Sequence, residues 1–181
     1  MHIQILIGSV RQGRIGPQIA CWVKDVVSQK YSTEIIDLKD WYLPMDDEPG
    51  LPAEGIYMHK HTIAWSKKIQ EADAYIFVFP QYNWGYPAAL KNAIDHLYKE
   101  WNKKPAMMVS YANRGGGKAA HQLQQVLEGI HMNVTDTNLE IKLSEIKFSQ
   151  SEDVTNYPES LYHYEDNLIM AMNQMHDIHS Y

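Results

Sequence analysis

The chain is expected to fold as a doubly wound parallel α/β sheet with helices on both faces. Three observations predict this class. Apolar runs of strand length recur at residues 3–7, 74–79 and 106–111. A loop rich in Gly and polar residues follows each run, and each loop opens into a segment with apolar residues at helical spacing. A chain of 181 residues fits one domain over 1–181 and can bury a substantial core.

The first run, Ile3-Gln4-Ile5-Leu6-Ile7, reads as a buried strand by its length and β-branching. Pro17 suits the first turn of the following helix, where a missing N–H costs little. Ile19, Ala20, Val23, Val26 and Val27 supply that helix with an apolar stripe. Residues 33–38 read as strand two. Residues 39–60 hold Pro44, Pro49, Pro52 and the acidic run Asp46-Asp47-Glu48, so a long loop is expected there. Helix two should cover 61–72, with Trp65 and Ile69 on one face. Residues 74–79 form strand three and 88–97 the next helix. Strand four covers 106–111, and the helix after it spans 118–129 on an apolar face of Leu123, Val126 and Leu127. Strand five falls between 132 and 143. A polar connector at 149–160 precedes a last helix at about 161–179. Leu161, Leu168, Met172 and Met175 recur on it at helical spacing, as a packing stripe or a subunit contact.

In a parallel sheet, ligands bind where loops leave the carboxyl ends of the strands. Three loops at that edge carry suitable chemistry. Pro80-Gln81-Tyr82-Asn83-Trp84-Gly85-Tyr86-Pro87 suits a flat heteroaromatic ligand. Its aromatic residues wall a ring, Gln81 and Asn83 pair with ring edges, and Gly85 allows close backbone approach. The loop from Gly8 to Pro17 carries Ser9, Arg11, Arg14, Ile15 and Gly16 and opens a helix. Backbone N–H groups, the helix dipole and guanidinium donors make it a phosphate site. The third loop reads Ser110-Tyr111-Ala112-Asn113-Arg114-Gly115-Gly116-Gly117. Its glycines permit positive φ and leave N–H groups available before a helix.

Other readings of these residues fail on spacing. Gly8, Gly13 and Gly16 do not make G-x-G-x-x-G, and Gly117-Lys118 is followed by Ala119, so neither dinucleotide nor Walker fingerprint is present. There is no G-x-S-x-G elbow for a hydrolase. Among nine His, the pairs His59/His61 and His176/His179 lack the partners of a zinc site, so no metal is expected. His96 and His121 are expected on helices, at surfaces or in hydrogen bonds. A net charge of −6 gives no electrostatic case for nucleic acid or anionic lipid. No apolar run approaches bilayer length, and Met1-His2-Ile3 leads into a strand without a basic leader. The single Cys21 is expected to be a buried structural thiol in a cytoplasmic protein.

The chain resembles the NADPH-dependent FMN reductase family of the flavodoxin-like superfamily. The resemblance rests on Gly8-Ser9-x-Arg11, on Pro80-x-Tyr82-Asn83 with Pro87 to Asp95 behind it, and on the loop from Ser110 to Gly117. It covers residues 2–130. It implies the flavodoxin strand order 2-1-3-4-5, bound FMN, NADPH or NADH as co-substrate, and a homodimer. It implies hydride transfer through the flavin, with no catalytic residue beyond the flavin itself and ping-pong delivery to quinones, flavins or similar acceptors. The site residues it implies are Ser9, Arg11, Arg14, Ile15 and Gly16, then Pro80, Gln81, Tyr82, Asn83, Trp84 and Gly85. Ser110, Tyr111, Arg114, Gly115, Gly116 and Gly117 complete the set. Two other readings remain: an electron carrier like a flavodoxin, and a flavin-dependent redox-sensing interaction protein.

Overall fold

The computed structural model describes residues 1–45, 47–148 and 153–180. Asp46 of the acidic run and residues 149–152 of the polar connector lie outside the described residues. The elements run β1 (His2–Ile7), α1 (Gly16–Val27), β2 (Ser32–Asp37), α2 (Lys60–Gln70), β3 (Ala74–Pro80), α3 (Ala88–Asp95), β4 (Pro105–Ala112), α4 (Gly117–Gly129), β5 (Asn133–Val134), β6 (Leu139–Lys142) and α5 (Glu165–Ser180). Short 3-10 turns punctuate the connections.

The sheet order is β2-β1-β3-β4-β5, with β6 also paired to β4. All of these pairings are parallel. Side-chain alternation divides the core in two. Ile3, Ile5 and Ile7 of β1, with Ile76 and Val78 of β3, pack with residues of α1 and α5. Leu6, Tyr75, Phe77 and Phe79 face the other way, onto Trp65, Leu90, Trp101 and Leu123. β3 is buried at every position, as expected of a central parallel strand covered on both faces. No described helix is long and apolar enough to cross a membrane.

The expected strand five is two short strands. Between them the Asn138 Oδ1 accepts the Met108 N–H at 2.9 Å, and the Thr135 hydroxyl donates to the Thr137 carbonyl at 2.9 Å. A side-chain amide therefore replaces a ladder carbonyl, and the strand breaks without orphaning the β4 donor. The last helix differs from expectation at its start. Glu159–Tyr164 is a 3-10 turn behind Pro158, and α5 begins only at Glu165. Glu165 and Asp166 place negative charge at the N-terminus of α5, where the helix dipole favours it. Leu161, Leu168, Met172 and Met175 are buried against the sheet, so the stripe is internal packing. Cys21 is half-buried rather than buried. Burial raises its thiol pKa, with Asp25 adding to the effect, so the thiol stays protonated at neutral pH.

Candidate functional site

After β1 the chain turns to β2 on one side, and β3 then pairs with β1 on the other. The loops after β1 and β3 therefore diverge at the carboxyl edge, which makes a crevice at the topological switch point. A cavity of about 610 Å³ occupies this place. All three ligand-type loops line it: Arg11 to Ile15 after β1, Pro80 to Tyr82 after β3, and Tyr111 to Gly115 after β4. Its charged side chains are Arg11, Arg14 and Arg114, so it favours an anionic ligand. A second cavity, of about 510 Å³, lies between the 45–52 loop and α3 and receives no residue of the first loop.

The first loop is braced from behind. Gly8 N–H donates to the Val78 carbonyl at 2.9 Å and carries the β1–β3 register one residue past β1. Arg14 is turned away from solvent. Its guanidinium grips Asp37 in a two-pronged pair, Nη1 to Oδ1 at 2.7 Å and Nη2 to Oδ2, and Nη1 also donates to the Ser9 carbonyl. Arg14 and Asp37 side chains are only 11% and 19% exposed, so the pair is largely desolvated. Asp37 closes β2 and was not among the expected site residues. An acid at the end of a strand beside the switch point is the signal that marks it.

The Ser9 hydroxyl, expected to face a phosphate, points inward. Ser9 is fully buried, and its Oγ accepts from the Tyr111 hydroxyl at 3.4 Å. Gly16 lies against these two groups, since a Cβ there would meet Ser9 Oγ at 2.7 Å and Tyr111 Oη at 2.8 Å. Burial raises the Tyr111 phenol pKa, so it remains a donor. The loop's capacity for an anion therefore rests on its backbone and on Arg11, which lines the cavity. The N–H groups of residues 9–14 make no well-formed hydrogen bond to a described backbone carbonyl. Pro17 occupies the first turn of α1, as expected.

The second loop is a tight hairpin. Tyr82 N–H donates to the Gly85 carbonyl at 2.8 Å, and Gly85 N–H donates back to the Tyr82 carbonyl at 2.9 Å. Both central residues are left-handed, Asn83 at φ 46° and Trp84 at φ 73°. Asn tolerates this region, but Trp adopts it at a cost of about 1–2 kcal/mol. Gly85, expected to allow close backbone approach, has an ordinary φ, and a Cβ there would meet Gln122 Oε1 at 3.1 Å. Trp84 is 62% exposed with the Lys118 ammonium 3.7 Å from its ring centroid. Strain, an exposed indole and a cation on its face mark a presented surface. Gln81 is partly committed: its Oε1 accepts the Ala119 N–H at 3.2 Å and ties this loop to α4. Tyr82 supports the Arg11 guanidinium, 4.0 Å above its ring. That contact joins the phosphate-type loop to the ring-type loop.

In the third loop each glycine meets a different constraint. Gly115 is left-handed at φ 87°. Gly116 has an ordinary φ of −103°, but a Cβ would lie 2.5 Å from Ser110 Cβ and 2.7 Å from Tyr111 N. Gly117 opens α4 beside the Glu140 carboxylate. Ser110, fully buried, donates to the Leu139 carbonyl at 3.3 Å and acts as the floor under Gly116. The geometry gathers Arg11, Arg14, Ile15, Pro80, Gln81, Tyr82, Tyr111, Arg114 and Gly115 at the cavity. Ser9, Gly16, Ser110 and Gly116 shape it from beneath. Asn83, Trp84 and Gly85 form the adjoining hairpin, and Gly117 starts the adjoining helix.

A model of the family described as NADPH-dependent FMN reductase matches residues 1–142. The NAD(P)H-dependent FMN reductase of Schizosaccharomyces pombe is 49% identical over 152 residues, 82% of this chain and 76% of that protein. The NAD(P)H-dependent FMN reductase of Saccharomyces cerevisiae is 46% identical over 147 residues, 74% of this chain and 77% of that protein. Among solved structures, FerB, a flavoenzyme NAD(P)H:(acceptor) oxidoreductase from Paracoccus denitrificans, superposes with a TM-score of 0.75 at 17% identity, covering 97% of both chains. At that identity the likeness speaks for the fold.

Proposed function

The chain belongs to the NADPH-dependent FMN reductase family, and from that premise we propose that its 610 Å³ cavity binds one FMN and serves electron transfer from NAD(P)H to small flat acceptors. The observation that carries this reading is the convergence of three loops on one switch-point cavity. The first offers backbone N–H groups and Arg11 to a phosphate, and the second and third offer Tyr82 and backbone edges to a ring. One phosphate-type loop facing two ring-type loops fits a mononucleotide rather than a dinucleotide.

Bound FMN would supply the redox chemistry, accepting hydride from the nicotinamide and passing the electrons on. The protein's residues bind and orient. Backbone donors of 9–14 and Arg11 hold the anionic end, while Arg14 keeps the loop in place through Asp37 and the Ser9 carbonyl. The N-terminus of α4, behind Gly115 and Gly116, directs its dipole at this edge and favours negative charge there. Trp84 is assigned to the open side, as a stacking surface for nicotinamide and quinone-like or flavin acceptors in turn. The same reading has the enzyme working as a cytoplasmic homodimer.

Two measurements test the assignment. The chromophore released on denaturation should have the mass of FMN; FAD alone, or a colourless protein that FMN cannot reconstitute, would overturn it. Initial rates with NAD(P)H at several fixed quinone concentrations should give parallel double-reciprocal lines, because donor and acceptor share one face. Intersecting lines would exclude that sharing.

Trp84→Gly is expected to separate binding from stability. Relief of left-handed strain, about 1–2 kcal/mol, offsets the lost cation–π contact of about 0.5–1 kcal/mol and the extra chain entropy of Gly, about 0.5–1 kcal/mol. The melting temperature should hardly move. The KM for a quinone should rise about two- to tenfold, the worth of one aromatic stack. An unchanged KM would remove Trp84 from the acceptor slot.

A further inference from the structure

We propose that Asp47, His61 and His96 form a binding site for one divalent transition-metal ion, of which Zn²⁺ is the first probe. The site lies outside the flavin cavity, where the long loop after β2 folds over the start of α2 and the end of α3. Each residue offers one ligand atom, and these atoms all lie within 4.8 Å of one another. His61 Nε2 is 3.0 Å from the nearer carboxylate oxygen of Asp47, and His96 Nε2 is 4.0 Å from the other. Tetrahedral zinc with bonds near 2.0–2.1 Å separates its ligand atoms by about 3.3 Å. The observed spacings bracket that value, so side-chain adjustments alone can close the site.

His96 points to a ligand. Its side chain is only 4% exposed. Its Nδ1 lies 2.8 Å from the Asn92 carbonyl, which must receive a proton from that nitrogen. Nε2 of the neutral ring therefore carries the lone pair. That nitrogen has no hydrogen-bond partner among the described residues, yet it is buried and aimed at Asp47 and His61. A ring fixed by Nδ1–H to a backbone carbonyl, with Nε2 left over, is the usual arrangement of a metal-bound histidine.

The surroundings hold the other ligands. Glu48 accepts the Met58 and His59 N–H groups at 2.9 and 3.0 Å, which pins the loop on both sides of the site. His59 bonds the Asp47 carbonyl at 2.9 Å and stacks on His61, with ring centroids 5.3 Å apart. Two imidazoles and a carboxylate suit a borderline ion such as Zn²⁺ over Mg²⁺ or Ca²⁺. Three protein ligands leave a fourth position. Asp47 and His96 also line the 510 Å³ cavity, from which water can fill it. A bound ion would tie the 39–60 loop to α2 and α3, and α3 begins directly behind the Tyr82–Tyr86 turn. Spacing along the chain hid the set, since Asp47 lies 14 residues before His61.

The test is calorimetric titration of the chelator-treated, FMN-loaded protein with Zn²⁺. One equivalent should bind, and Zn²⁺ should raise the melting temperature. His96→Gln and Asp47→Asn should each weaken binding at least about tenfold and cancel the thermal shift. The double variant His176→Gln/His179→Gln, on α5, should bind as the parent does. Asp47→Asn is partly exposed and leaves the core untouched, so it remains informative if His96→Gln loses flavin or fold. Failure of the parent to bind, or equal binding by parent and Asp47→Asn, would overturn the site. Loss of binding only in the α5 double variant would do the same.

Discussion

Gly116→Ala should abolish FMN retention and destabilise the fold by about 1–3 kcal/mol, while Gly117→Ala, one residue later, should be nearly silent. The difference lies in what each new methyl group meets. At Gly116 a Cβ would stand 2.5 Å from Ser110 Cβ and 2.7 Å from the backbone nitrogen of Tyr111. Neither can retreat. β4 is hydrogen-bonded to β3 on one side and to β6 on the other, and Ser110 is fully buried. The loop must lift instead, which moves Gly115 and Arg114 at the cavity wall. At Gly117 the atoms nearest the methyl would be those of the Glu140 carboxylate, the far end of an exposed side chain that can swing away. Replacing a helix-opening Gly even gains some helix propensity, up to about 1 kcal/mol. Gly115→Ala should fall between them, at about 1–2 kcal/mol for a left-handed residue. Urea melts and FMN fluorescence titrations read both quantities. A Gly116→Ala protein with parental stability and an FMN Kd within tenfold of the parent would refute this account.

The three glycines also show how far sequence carries. That they form a ligand loop before a helix was legible, because strand, Gly-rich turn and apolar stripe occur in order. Their separate tasks were not. Only Gly115 uses its conformational freedom, while Gly116 is required by a side chain six positions earlier that packs beneath it. Such crowding depends on how the loop folds back on β4, which periodicity does not encode. The strand order likewise came from family resemblance, since alternation of strands and helices is common to several orders. The split of strand five escaped for a similar reason: Asn138 substitutes a side-chain amide for a backbone acceptor. Local signals did better where one residue decides, as at Pro17 or in the buried stripe of α1.

The first-loop arginines had the same sequence signature and received opposite environments, which leads to the second large effect. Arg14→Ala should lower stability by about 3 kcal/mol and weaken FMN and riboflavin alike. Arg11→Ala should leave the fold nearly intact and weaken FMN alone, about ten- to hundredfold. Removing Arg14 leaves Asp37, a carboxylate only 19% exposed, without its cation and with the Lys39 N–H at 3.0 Å as its remaining hydrogen bond among the described residues, and frees the Ser9 carbonyl. Breaking one side of such a pair costs about 3–5 kcal/mol when burial is complete. The residual exposure of both partners places the expectation at the lower end. The whole loop then loosens, so ligands with and without a phosphate suffer together. Restoring balance by also replacing Asp37 should recover part of the stability, and the Arg14→Ala/Asp37→Ala cycle measures the coupling. Arg11 is exposed and rests on Tyr82, a contact worth about 0.5–1 kcal/mol. Its charge-assisted bond to a phosphate is worth about 1.5–3 kcal/mol. Riboflavin lacks that phosphate, so its Kd should change only by the small stacking contribution. Titrations of both flavins with each variant decide the matter. Equal losses of FMN and riboflavin in Arg11→Ala would move the phosphate elsewhere, and a selective loss of FMN in Arg14→Ala would make Arg14 a direct ligand rather than a brace.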